Sequence, residues 1–134
     1  MSADSLSIVQ GTLDILVLKA LADTPLHGYA VARWIRETTD DALQIEEGAL
    51  YTSLHRLEKR GWLVSRWGLS ENNRKAKFYV ATPEGVKRLR KESQAWSRYA
   101  EAVSKVLDAP KAERPPGRKA TGLRSGVREP EVAT

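Results

Sequence analysis

Apolar residues near the start of the chain recur at the spacing of one helix face. Leu13, Leu16, Val17, Ala20 and Leu21 follow the i, i+3, i+4 rule, which predicts an amphipathic helix over about 10–22. Asp23, Thr24 and Pro25 break it. A second helix is expected over about 26–38, with Tyr29, Ala32, Ile35 and Arg36 along its length. The polar run Thr38-Thr39-Asp40-Asp41 leads out of it, and Leu43 to Ile45 reads as a short strand. A third helix spans 46–60. Glu46 and Glu47 stand in its first turn, where carboxylates favour the positive end of the helix dipole. Leu50, Leu54 and Leu57 make its buried stripe, and Gly61 follows as a C-terminal glycine should.

The period then changes from helical to alternating. Trp62 to Trp67 sets Trp62, Val64 and Arg66 against Leu63, Ser65 and Trp67, and Ala76 to Thr82 carries Phe78 and Val80. The turn-forming segment from Gly68 to Lys75 between them makes a hairpin whose return side is basic. Thr82-Pro83-Glu84 starts a fourth helix: a capping hydroxyl, a proline at the first position and an acid at the dipole. It runs to about Asp108, before Pro110. The fold class is therefore mainly α with a small β-hairpin, arranged as a winged helix-turn-helix with a long C-terminal helix. The expected domains are a DNA-binding unit over 1–82, a dimerisation helix over 83–109 and a disordered basic tail over 110–134, rich in proline and glycine.

Composition narrows the class. The 134 residues contain 41% apolar side chains, enough for one core, and no cysteine, which excludes disulfides and thiolate metal sites. No apolar run approaches the roughly 20 residues that cross a bilayer. The polar segment Met1 to Leu6, with Asp4, does not read as a signal peptide, so a soluble cytoplasmic protein without a membrane partner is expected. The net charge of +5 is unevenly spread: residues 1–55 carry −5, residues 56–77 carry +5, residues 78–110 carry +2 and residues 111–134 carry +3. A basic block inside a folded region points to a polyanion, although a merely solvated basic surface has the same composition.

The candidate chemistry lies on and beside the third helix. With its leucines turned inward, Thr52, His55, Arg56 and Lys59 turn outward, and Tyr51 borders that arc. All can donate hydrogen bonds to phosphates or base edges, as the second helix of a helix-turn-helix does in the major groove. Arg74, Lys75 and Lys77 on the hairpin could touch the backbone alongside. An ordinary polar helix face and a hairpin made basic for solubility are the alternatives. His27 and His55 are too isolated for a metal site, and His27, at the start of a helix, suits capping. No nucleophile–base–acid set, phosphate-cradling glycine loop or carboxylate pair stands out, so neither an enzyme nor a cofactor is expected.

On the fourth helix, Val86, Leu89, Ser93, Trp96, Ala100, Val103 and Leu107 fall at alternating steps of three and four. Such a heptad seam buries poorly in one small domain and predicts a homodimer. Ser93 and Ala100 are small neighbours of Trp96. Either Trp96 fills the space they leave, or a slot opens there for a planar aromatic ligand.

The segments Gly11-Thr12-Leu13-Asp14, Leu26-His27-Gly28-Tyr29, Glu47-Gly48-Ala49-Leu50-Tyr51, Leu54-His55-Arg56-Leu57-Glu58 and Lys77-Phe78-Tyr79-Val80-Ala81-Thr82 resemble the PadR family of bacterial transcriptional regulators. The resemblance covers about 7–108, and Thr52 stands where the family typically has proline. It implies a two-fold dimer built on the last helix and helped by the N-terminal one, repression of a nearby operon, and release by a small molecule or stress signal; a ligand-responsive repressor of this kind is expected to bind a palindromic operator. Tyr51, Arg56 and the wing from Arg74 to Lys77 match DNA-contacting positions, and Trp96 matches a tryptophan that lines a ligand slot in multidrug-responsive members. The stretch from Gly68 to Arg74 is also similar to members found beside transporter permease genes. Two other functions compete: an architectural protein binding DNA without sequence preference, and a protein-interaction winged helix that binds no nucleic acid.

Overall fold

The computed structural model describes residues 12–111. Beyond residue 111, the tail expected over 110–134 lies outside the described residues, as does the segment Met1 to Leu6. In chain order the elements are α1 (Leu13–Ala20), β1 (Leu26–His27), α2 (Gly28–Thr38), α3 (Glu47–Lys59), β2 (Leu63–Leu69), β3 (Lys75–Ala81) and α4 (Pro83–Asp108). This is the winged helix-turn-helix arrangement with a long last helix. No helix among the described residues is long and apolar enough to cross a membrane.

The helical periodicity translates directly into the core. Val17, Leu18 and Leu21 from α1 and its end meet Val31 and Ile35 from α2 and Leu50, Leu54 and Leu57 from α3. Leu63 and Tyr79 from the sheet and Leu89 from α4 complete the cluster. Each fully buried leucine contributes about 1.5–3 kcal/mol relative to exposure.

Three details of the sequence pattern need correction. The second helix begins at Gly28, not 26, because Leu26 and His27 form a short strand pairing with Tyr79 and Phe78 of β3. His27 is held extended (φ −82°, ψ 166°) as the N-cap of α2, its Nδ1 accepting the Ala30 N–H at 3.2 Å. The sheet is therefore three-stranded, antiparallel, in the order β1-β3-β2. No strand forms over 43–45, where Leu43 alone makes a bridge. Asp40 and Asp41 both adopt left-handed conformations (φ 50° and 67°), and the Leu43 N–H is taken by the Thr39 hydroxyl. The hairpin strands also extend further than expected, with Leu69 opposite Lys75, and the loop shrinks to 70–74.

One junction joins α3, the hairpin and α4. Gly61 N–H bonds the Glu58 carbonyl and Trp62 N–H the Leu57 carbonyl, closing α3 in a Schellman motif. The Thr82 hydroxyl donates to the Gly61 carbonyl at 2.7 Å and accepts the Gly85 N–H at 3.0 Å, capping α4 on the end of α3. A Cβ on Gly85 would lie 2.1 Å from the Trp62 carbonyl oxygen, so only glycine permits this approach. The chain divides into two compact units, up to Arg98 and from Tyr99 onward; the described part of the second comprises the end of α4 and residues 109–111.

Candidate nucleic-acid interface

Helix α3 buries Leu50, Ser53, Leu54 and Leu57 and exposes Tyr51, Thr52, His55, Arg56 and Lys59. The outward set is as the leucine stripe demands, but its members differ in freedom. Arg56 is claimed by α1: its Nε and Nη2 donate to the two Asp14 oxygens at 3.1 and 2.6 Å. Asp14 also accepts the hydroxyl of fully buried Ser53, so one carboxylate fixes α3 against α1. Those hydrogen bonds raise Arg56 above the ordinary guanidinium range, against the opposing effect of burial. Thr52, His55 and Lys59 carry no such tether among the described residues.

The wing closes over one end of α3. Lys77 Nζ lies 3.6 Å from Glu58 of α3 and over the Tyr79 ring at 5.5 Å; Lys75 lies over Trp67 at 5.5 Å. A cleft of about 530 Å³ separates wing, α3 and the start of α2. Tyr51, His55, Arg74, Lys75 and Lys77 line it together, whereas Thr52, Arg56 and Lys59 do not. Tyr51 stands against the start of α2, where a Cβ on Gly28 would meet its hydroxyl at 2.9 Å. Buried Tyr79 forms part of the floor, and its desolvation raises its phenol above the ordinary range despite nearby Lys77.

Tyr29 and Arg33 on α2, Trp67 on β2 and Glu71 in the wing turn also line the cleft, and none of them was a candidate contact residue from the sequence. Tyr29 and Arg33 are one helical turn apart, and the Arg33 guanidinium lies 5.5 Å from the Tyr29 ring centroid; that spacing was the available signal. Glu71 receives Arg33 Nη2 at 3.2 Å and His27 Nε2 at 3.4 Å. Its own backbone hydrogen bond, then His27, then Arg33 hold its carboxyl down to about 2 from an ordinary 4.5. The cleft thus presents Arg33, Arg74, Lys75 and Lys77 around a single acid. Among the described residues no group of three metal-ligating side chains comes together.

The predicted seam on α4 is unevenly exposed. Before the unit boundary, Leu89 is buried in the domain's own core, Val86 and Ser93 are half-buried, and Trp96 is 44% exposed. After it, Ala100 is half-buried, Val103 is 38% exposed and Leu107 is 76% exposed. Tyr99 and Val106, absent from the predicted seam, are also large and exposed.

The profile of the PadR-like transcriptional regulator family matches residues 17–91, a span that contains α3 and the wing. The structure of a transcriptional regulator from Clostridium thermocellum is 30% identical, with a TM-score of 0.66 over 78% of this chain and 96% of that one. The crystal structure of a PadR family transcriptional regulator from Eggerthella lenta is 34% identical, with a TM-score of 0.63 over 75% of this chain and 86% of its own. A transcriptional regulator of Mycobacterium tuberculosis is 33% identical over 88 residues, 65% of this chain and 78% of that protein.

Proposed function

Because this chain belongs to the PadR-like family of DNA-binding transcriptional regulators, we propose that it is a homodimeric repressor, acting on a palindromic operator and released by a small-molecule or stress signal. In this reading α3 enters the major groove, with Thr52, His55 and Lys59 toward bases and phosphates and the Tyr51 hydroxyl on the backbone. Arg74, Lys75 and Lys77 follow the adjoining backbone. Arg56, its fork already filled by Asp14, sets the angle of α3. The apolar residues of α4 pair with those of a second copy, and a planar aromatic effector stacks on Trp96. Cytoplasmic residence goes with this role.

The observation that carries the proposal is the cationic cleft that Tyr51 and His55 of α3 share with the wing. Helix face and wing each have innocent explanations alone; their convergence on one surface fits a DNA backbone running between them. DNase footprinting on the promoter of the protein's own gene is expected to show an inverted repeat with half-sites about one helical turn apart. No protected repeat, with equal affinity for scrambled duplexes, would make it an architectural binder instead.

A further inference from the structure

We propose that Arg33 and His27 form a site for a DNA backbone phosphate, and that in the free protein the wing's own Glu71 carboxylate occupies it as a stand-in. The inference rests on the DNA-binding reading above. It adds a ligand site on α2 and a competitor for it within the same chain.

The contacts have the form of oxyanion recognition. Each Glu71 oxygen takes one donor: Oε1 faces His27 Nε2 at 3.4 Å and Oε2 faces Arg33 Nη2 at 3.2 Å. Two non-bridging oxygens of a phosphodiester present the same paired acceptors. Neither donor needs Glu71 to stay in place. His27 Nδ1 accepts the Ala30 N–H, which puts the ring proton on Nε2 and makes that nitrogen a donor even in the neutral imidazole. Its ring is further fixed edge-on to Phe78, with centroids 5.4 Å apart. Arg33 rests on the Tyr29 face. The donors are therefore preorganised from α2 and β3, and remain so when the acid leaves.

Glu71 itself is placed to leave. It sits in the 70–74 turn at the wing tip, and its side chain is 57% exposed. It is also the only acid among the residues lining the cleft, where Arg33, Arg74, Lys75 and Lys77 supply the cations. A phosphate approaching this surface meets Arg74 and Lys75, then Lys77, which lies 3.6 Å from Glu58, and Arg33, whose anion is the wing's own Glu71. Seating the backbone at Arg33 requires that Glu71 swing out with the wing tip. Binding and wing movement are then coupled, and part of the gain from the phosphate is offset by the lost intramolecular pair.

The test measures fluorescence anisotropy of a labelled mixed-sequence duplex of about 30 bp, roughly three helical turns. Wild type, Glu71→Gln, Arg33→Gln and the double variant are compared over a range of salt concentrations. Glu71→Gln is expected to bind about two- to fivefold tighter than wild type, the scale of releasing an exposed ion pair. Its dependence of log affinity on log salt should stay close to that of wild type, since both seat the same phosphate at Arg33, whereas Arg33→Gln should flatten it by about 0.9, one phosphate fewer. The gain should vanish in the Arg33→Gln background. Wild-type binding with no gain in Glu71→Gln overturns this proposal and leaves the DNA-binding reading intact. A gain that survives Arg33→Gln is a general charge effect and also overturns it. No duplex binding by either wild type or Glu71→Gln overturns the DNA-binding reading, and this inference with it.

Discussion

Glu71 and Asp14 show how single carboxylates set the terms for the cations around them. Glu71, lowered to about 2, has a depressed pKa in the folded state. Its stabilising contribution is therefore complete above the ordinary 4.5 and is lost as pH falls toward about 2. A titration following the Glu71 carboxyl carbon by NMR should give a midpoint near that value, with the wing-turn amide shifts moving in step. A midpoint near 4.5 would mean that neither its backbone hydrogen bond nor the contacts with His27 and Arg33 are held in solution. Asp14 acts differently, satisfying the buried Ser53 hydroxyl and both arms of the Arg56 fork. Asp14→Ala is expected to cost about 1–3 kcal/mol in urea denaturation, because Ser53 loses its partner in the core. At this scale the sequence was only half legible. The outward direction of Arg56 followed from the leucine stripe, but its partner stands on another helix, and no spacing rule reaches across that gap. Glu71, likewise, read as one more polar residue in a turn.

The elements were far more legible than their joints. Four helices and a hairpin announce themselves by period, because each must bury one face, and the Thr82-Pro83-Glu84 start of α4 follows from capping chemistry alone. Strand β1 was not legible: two residues have no period, and they are extended only because β3, some fifty residues later, offers an edge. The contact of Gly85 with the Trp62 carbonyl was equally hidden, since it depends on how α4 leaves the sheet. That joint yields a sharp contrast between two glycines. Gly85→Ala places a Cβ 2.1 Å from backbone that Thr82 and the α3 cap hold from both sides. It should destabilise the protein by about 2–3 kcal/mol, the upper part of the range for overpacking. Gly48→Ala, in the first turn of α3, meets nothing within 4 Å and should stabilise by about 0.5–1 kcal/mol through helix propensity. Thermal melts of the two variants should move in opposite directions from wild type. Equal shifts would show that the α3–α4 joint yields more readily than its hydrogen bonds suggest.

For the molecule as a whole, the proposed function needs two reading heads, because one α3 with its wing covers only a half-site. The proposed link is the exposed apolar stretch of α4, where Val103, Val106 and Leu107 lie outside the core while Leu89 belongs to it. The two ends of the predicted seam therefore separate by experiment. Leu89→Glu should unfold the domain, since it buries a charge in the core. Val103→Glu with Leu107→Glu should leave the fold intact, as judged by circular dichroism, and abolish pairing. By sedimentation, wild type should run at roughly twice the 14.9 kDa chain mass and the double variant at the chain mass itself. Pairing makes the second half-site contact intramolecular, so losing it should weaken binding to a full palindrome by about 10²–10⁴-fold. Affinity for an isolated half-site should be unchanged, because α3 and the wing are untouched. The slope of log affinity against log salt should roughly halve, as half the phosphates are neutralised per binding event. A double variant that sediments as a monomer yet binds the palindrome as tightly as wild type would place recognition in a single head and remove the need for a dimer.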